Sequence, residues 1–235
     1  MLTEKQKELY SRQLILPGFS EEDQQKLNNA KILVVGAGGL GAPVLSYLSA
    51  AGVCNLGIVE YDSIVLSNLQ RQILFRLEDT GKKKIDIAAQ RIKELNPDIN
   101  CECYDTIWND GNAIEIAKDY QIIIDCSDNK ASRLTSDYAS STLGIPFVFG
   151  ALSNWEGQVA IFNSLNQINY KEAFGHPNMQ TEENESTGVI GVVPAVIGSI
   201  MASEAIKLIL GKGKTLDGRL LHISLLKNEW QVFEL

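Results

Sequence analysis

Apolar and polar positions alternate along this chain in two textures. Short runs such as "KILVV" (31–35), "LGIVE" (56–60) and "IIIDC" (122–126) are almost continuously apolar and rich in β-branched residues. Strands covered on both faces read this way. Between them, apolar residues recur at helical spacing. Ile85, Ala88, Ala89, Ile92 and Leu95 mark one face of a helix over 83–95, which Asn96-Pro97 stops. A glycine turn leads into a helix over 41–51, "CECYD" and "PFVFG" read as strands, and "GNAIEIAKDY" and Lys130 to Leu143 as helices. Strands alternating with helices of this length predict right-handed βαβ units. The fold class is α/β: a Rossmann-like, doubly wound, mostly parallel sheet.

The ends depart from that rhythm. Residues 1–29 read as a helical arm with helices over "TEKQKEL" and "SEEDQQKLNN", Ser20 and Asp23 forming a capping box for the second. After the strand "GQVAIF", residues 163–187 are polar and aperiodic and predict a long loop. Residues 188–235 resume with an apolar helix ending near Leu210, then "RLLHISL" and "EWQVFEL". These two strands have the look of a hairpin and give the sheet an antiparallel C-terminal portion. With no repeat and no dividing linker, one domain is expected over 1–235.

Composition narrows the partners. The 235 residues are 45% hydrophobic and 21% charged, with a formal net charge of -8. That balance argues against a phosphate-backbone footprint, so no nucleic-acid partner is expected. The uncharged run from Gly188 to Ser203 is shorter than a bilayer span of roughly 20 residues and contains Pro194. It predicts a buried helix and no membrane partner. The polar N-terminus lacks a signal-peptide pattern, and the four cysteines form no CxxC pair. A cytoplasmic protein with reduced thiols is expected, with Cys101 and Cys103 sharing one face of a strand.

Chemistry enters at "GAGGLG" (36–41), where Gly36, Gly38 and Gly41 complete G-x-G-x-x-G, with Gly39 between, after a strand and opening a helix. Glycines permit a tight turn and close backbone approach, and amide N–H groups at the helix start attract an anion. Glu60 ends the next strand, where a carboxylate can accept from a ribose hydroxyl. This pattern does not choose between a dinucleotide and ATP. The polar run "SNLQRQ" (67–72), set between apolar stretches, bears on that choice.

"YSRQLILPGF", "GAGGLG", "SNLQRQILF", "DCSDN" and "GVIGVVPAVIGSIMASEAIKLILG" occur here in the order and spacing of the ThiF/MoeB/HesA family, relatives of ubiquitin-activating enzymes. The chain resembles that family from about Tyr10 to Gly211. The resemblance implies a homodimer and ATP- and Mg²⁺-dependent adenylation of a carboxylate, giving acyl-adenylate and pyrophosphate. It implies Arg71 and Lys84 as cations at the phosphates, Asn68 as a phosphate hydrogen-bonder and Asp128 as the acid near Mg²⁺. It also implies that Arg12 is delivered in trans by the dimer partner. Guanidinium and ammonium groups suit this step, because a carboxylate attacking a phosphate brings two anions together.

Two departures shape the substrate expectation. Many relatives hold structural zinc with two CxxC pairs; this chain has none, so no structural zinc is expected. Many also carry a cysteine four residues before the "GV" of the apolar helix, where Asn184 stands here. An amide is no thiolate nucleophile, so no covalent cysteine step is expected. The first reading of the substrate is the C-terminal Gly-Gly of a ubiquitin-like sulfur-carrier protein, of thiamine-thiazole or molybdopterin type. The second is a small-molecule or peptide carboxylate in cofactor, tRNA-modification or natural-product chemistry. A third, an NAD(P)-dependent oxidoreductase, finds no support beyond the glycine turn.

Overall fold

A computed structural model describes residues 1–174 and 188–235. Five parallel strands, β1 (Lys31–Val35), β2 (Asn55–Val59), β3 (Asn100–Tyr104), β4 (Ile122–Asp125) and β5 (Phe147–Ser153), form one side of a single sheet. Antiparallel β6 (Glu156–Phe162), β7 (Arg219–Ser224) and β8 (Glu229–Glu234) extend it, giving the order β3-β2-β1-β4-β5-β6-β7-β8. The expected α/β class is therefore the observed one. Strand order reverses between β1 and β4, so their carboxyl ends flank the crevice where α/β sheets bind ligands. Register brings Val35 level with both Val59 and Asp125, so three strands end together.

The apolar runs are continuous because each strand feeds two cores. Ile32 and Val34 join α4 (Gly41–Ala51), α5 (Lys84–Leu95) and α9 (Val192–Leu210) on one face. Leu33 and Val35 face the opposite layer, with Trp108, α6 (Ala113–Ala117) and α7 (Lys130–Leu143). All four side chains are essentially solvent-free, each contributing roughly 1.5–3 kcal/mol of burial. The apolar helix is α9. It is long and apolar enough by composition to cross a membrane, yet it packs between α4 and strands β5 and β6.

The N-terminal arm comprises α1 (Glu4–Leu9), an additional short helix α2 (Ser11–Leu14), and α3 (Glu21–Asn29). Ser20 and Asp23 cap α3 reciprocally, as their spacing predicts. A larger difference lies in the stretch expected as loop, 163–187. It contains α8 (Tyr170–Phe174), while 175–187 fall outside the described residues. Tyr170 and Phe174 join Phe147, Phe149 and Phe162 in one aromatic cluster. Asn169 accepts from the Glu172 N–H, and Asp137 on α7 accepts from the Tyr170 and Lys171 N–H groups. A helix this short has no useful periodicity; tertiary contacts make it.

Candidate active site

The carboxyl ends of β1, β2 and β4 open into a cleft of about 440 Å³. Its floor is the glycine turn. Gly36 has φ 92, in the left-handed region, and donates its N–H to the Val59 carbonyl at 2.8 Å. A Cβ there would lie 3.1 Å from the Cys126 carbonyl oxygen. Gly36, Gly38 and Gly39 line the cleft, and Gly41 does not. The reason is steric: a Cβ at Gly41 would lie 2.2 Å from the Gly36 carbonyl oxygen. That third glycine lets α4 fold back onto the turn rather than meeting a ligand. Leu40, at the N-cap of α4, gives no side-chain cap, so the amino end of the helix keeps its affinity for anions.

Glu60 lies in the cleft wall but is already engaged. Its Oε2 accepts from Ala37 N at 3.0 Å, and its Oε1 accepts from Tyr61 N and Asp62 N. A carboxylate offers about four acceptor positions. Glu60 therefore braces the turn and keeps about one position for a hydroxyl.

The "SNLQRQ" run forms a 3₁₀ turn over Leu66–Asn68 followed by tight turns. Asn68 is buried outside the cleft wall. Its Oδ1 accepts from Val65 N, and its carbonyl accepts from the N–H groups of Arg71 and Gln72. It shapes the turn that presents the next two side chains. Arg71 lines the cleft, donates to the Ser67 carbonyl at 3.1 Å and pairs with no carboxylate among the described residues. Gln72 is 5% exposed, lines the cleft against Gly38, and its Oε1 has no partner among the described residues.

Lys84 opens α5, and its buried side chain reaches the same wall. Its Nζ donates to Asp62 at 2.9 Å, using one of three ammonium N–H donors. Across the cleft, Asn129 caps α7 by accepting from Ser132 N, so Asp128 is left exposed in the wall with no capping role. A buried network props up that wall. Trp108 donates its indole N–H to Ser136, whose hydroxyl donates to Asp125; Ser127 donates to Asp125 through N–H and hydroxyl. Burial pushes the Asp125 carboxyl above its ordinary range, against the opposing pull of the serine hydrogen bonds. Arg133 also lines the cleft, its guanidinium 5.4 Å from the Phe149 ring centroid.

The structure thus brings Gly36, Gly38, Gly39, Glu60, Arg71, Lys84 and Asp128 together around one cleft. It does not bring in Arg12. That residue is exposed on α2, and neighbouring Gln13 donates to the Ala51 carbonyl at the far end of α4. Eleven helical residues put that end about 16 Å from the glycine turn. Sequence reasoning left out Gln72, Asp62, Trp108 and Arg133. Gln72 stood within the quoted polar run, and Asp62 two residues after Glu60; nothing local singled out the other two. Asn184 lies outside the described residues. Among those described, no group of three or more His, Cys, Asp or Glu could hold a metal.

A model of the ThiF family matches residues 10–235. The chain is 43% identical over 226 residues to a sulfur carrier protein adenylyltransferase of Thermus thermophilus, covering 93% of this chain and 83% of that protein. It is 41% identical to a probable molybdopterin-synthase adenylyltransferase of Porphyra purpurea, covering 96% of this chain and 60% of that protein. It is 40% identical to the probable adenylyltransferase/sulfurtransferase MoeZ of Mycobacterium tuberculosis, covering 90% and 56%. The chain therefore spans little more than half of the latter two. Among solved structures, E. coli MccB with AMPCPP and MccA superimposes with a TM-score of 0.86 at 19% identity, covering 99% of this chain and 72% of that one. PaaA gives 0.85 at 22%, covering 99% and 74%. At such identities the likeness speaks for the fold alone.

Proposed function

The chain belongs to the ThiF family, and on that premise we propose that it adenylates the C-terminal glycine carboxylate of a ubiquitin-like sulfur-carrier protein with ATP. The carboxylate oxygen attacks the α-phosphorus, the bond to the bridging oxygen breaks, and pyrophosphate leaves. The observation that carries this reading is Arg71: a guanidinium without a carboxylate partner among the described residues, beside a glycine turn and near Lys84 in one cleft. A cation facing a turn that attracts anions, with no carboxylate partner among the described residues, is suited to a polyphosphate.

These placements support a role for each residue. Arg71 and Lys84 neutralise the phosphates, the glycine turn receives them through backbone N–H groups, and Glu60 accepts from a ribose hydroxyl. Asn68 acts by building the turn that aims Arg71. Magnesium fits this donor set, because that ion takes one or two carboxylates and otherwise phosphate oxygens and water. Asp128, exposed in the wall and with no side-chain hydrogen bond among the described residues, is the carboxylate for it. When bound, the ion would add positive charge at the phosphates.

Arg12 needs a second copy of the chain, so the working unit is a homodimer. The reading places the protein in the cytoplasm, as one domain over 1–235. A small-molecule or peptide carboxylate is the second reading, favoured by Asn184 in place of a thiol. Exchange of radiolabelled pyrophosphate into ATP tests both. Exchange is expected with Gly-Gly carrier proteins, and Arg71→Ala is expected to lower it roughly 10²- to 10³-fold, the effect of removing one preorganised electrostatic contributor. Exchange that ignores Arg71→Ala sinks the site; exchange driven only by small acids moves the substrate to the second reading.

A further inference from the structure

Away from the cleft, β3 is the terminal strand of the sheet, with no strand on its outer side among the described residues. Cys101 and Cys103 project from one face of it, their Sγ atoms 3.8 Å apart. Cys101 packs partly into the core beside α5, while Cys103 is exposed. Residues two apart on a strand are separated by about 6.6 Å between Cα atoms, two rises of 3.3 Å. That is just inside the 4.4–6.8 Å that a disulfide spans. Cβ atoms on one face of a strand are about as far apart as the Cα atoms, however, where a bridge needs about 3.8 Å, so bridging takes a local bend of this terminal strand.

The two thiols are not equivalent. The contact with the Cys101 thiol holds the Cys103 thiol down to about 7, with the Lys93 ammonium assisting and burial and Asp86 opposing. Cys101 is pushed up by the same contact. Asp86 and Lys93 both belong to α5, the helix packed on this face. The other cysteines, Cys54 and Cys126, are buried and pushed up by that burial. One exposed thiolate beside a protonated neighbour is the arrangement of a reactive cysteine with its resolving partner.

We propose that Cys101 and Cys103 form a reversible dithiol–disulfide site that a peroxide oxidises. The Cys103 thiolate attacks one peroxide oxygen, the O–O bond breaks, and hydroxide leaves with Cys103 as sulfenic acid. The Cys101 thiol gives its proton to that hydroxide, and its sulfur attacks Cys103 Sγ. The S–S bond forms as the S–O bond breaks, and the second oxygen leaves as hydroxide, which takes up from solvent the proton that Cys103 released on ionising and becomes water. Two thiols lose two electrons, and hydrogen peroxide becomes two waters. A bridge that bends the strand, with one sulfur exposed, is open to being reduced again.

The test is titration of the whole protein with hydrogen peroxide, with and without dimedone, followed by intact mass and peptide mapping. Wild type is expected to lose two hydrogens, to yield one internally bridged 101–103 peptide, and to recover both thiols with dithiothreitol. Cys101→Ser is expected to stop at the sulfenic acid and to carry dimedone on Cys103; Cys103→Ser is expected to lose the reaction. A lasting dimedone adduct on wild-type Cys103 would overturn the proposal. So would oxidation that begins at Cys54 or Cys126, or two thiols that survive the treatment.

Discussion

Gln72 occupies a position that stability alone does not explain. A buried acceptor without a partner costs roughly 1–3 kcal/mol of desolvation, whereas a leucine of similar shape would leave nothing unpaired. Gln72→Leu is therefore expected to leave thermal stability unchanged or raise it. If the amide serves the nucleotide, the same change raises KM for ATP about tenfold, the worth of one hydrogen bond to a charged group. Calorimetry and pyrophosphate exchange on one preparation check both halves; a fall in Tm with an unchanged KM would make Gln72 structural. The sequence exposed the polar run but not which member faces inward. In a helix or strand, spacing assigns faces, whereas the 3₁₀ turn at Leu66–Asn68 and the turns after it have no period to read. Thus Asn68 turned out to build the loop, and Gln72 to enter the cleft wall. Gly41 shows the same limit: a motif names three glycines without saying which meets a ligand and which only permits packing.

At the scale of elements, long periodic segments were legible and short ones were not. α5, α7 and α9 declare themselves by spacing and stop signals. α8 does not, because Asp137, an aromatic cluster and one cap hold its five residues. The arm is held by similar long-range contacts. Asp23 caps α3, and Lys212, just past the end of α9, also donates to it. The Lys212 ammonium and then the Ser20 N–H hold the Asp23 carboxyl down to about 2. A carboxylate lowered by folding stabilises the native state above its unfolded value, near 4, and loses that contribution as pH falls through its folded value. Asp23→Asn is expected to lower Tm at pH 7. The gap from wild type is expected to narrow steadily from about pH 4 towards pH 2. Melting curves across that range check it, and a gap that stays constant with pH would assign the loss to the cap geometry alone.

At the scale of the whole molecule, Arg12 offers the test of whether the working unit is a homodimer. Its own α2 sits by the far end of α4, so a role at the phosphates requires another copy to deliver it. Symmetry makes this testable without a structure of the complex. In a two-fold dimer each cleft would hold its own Arg71 and the partner's Arg12, since the same surfaces are exchanged both ways. Arg12→Ala and Arg71→Ala are each expected to be nearly inactive alone. Mixed and allowed to exchange subunits, they form heterodimers in which one cleft has both arginines intact and the other lacks both. Random pairing makes about half of the dimers mixed, so about a quarter of wild-type exchange activity is expected to return. Recovery must follow the kinetics of subunit exchange and vanish when each variant is cross-linked beforehand. If mixing restores nothing while native mass spectrometry shows the heterodimer, Arg12 has no role in trans. The cleft would then depend on cations of its own chain alone.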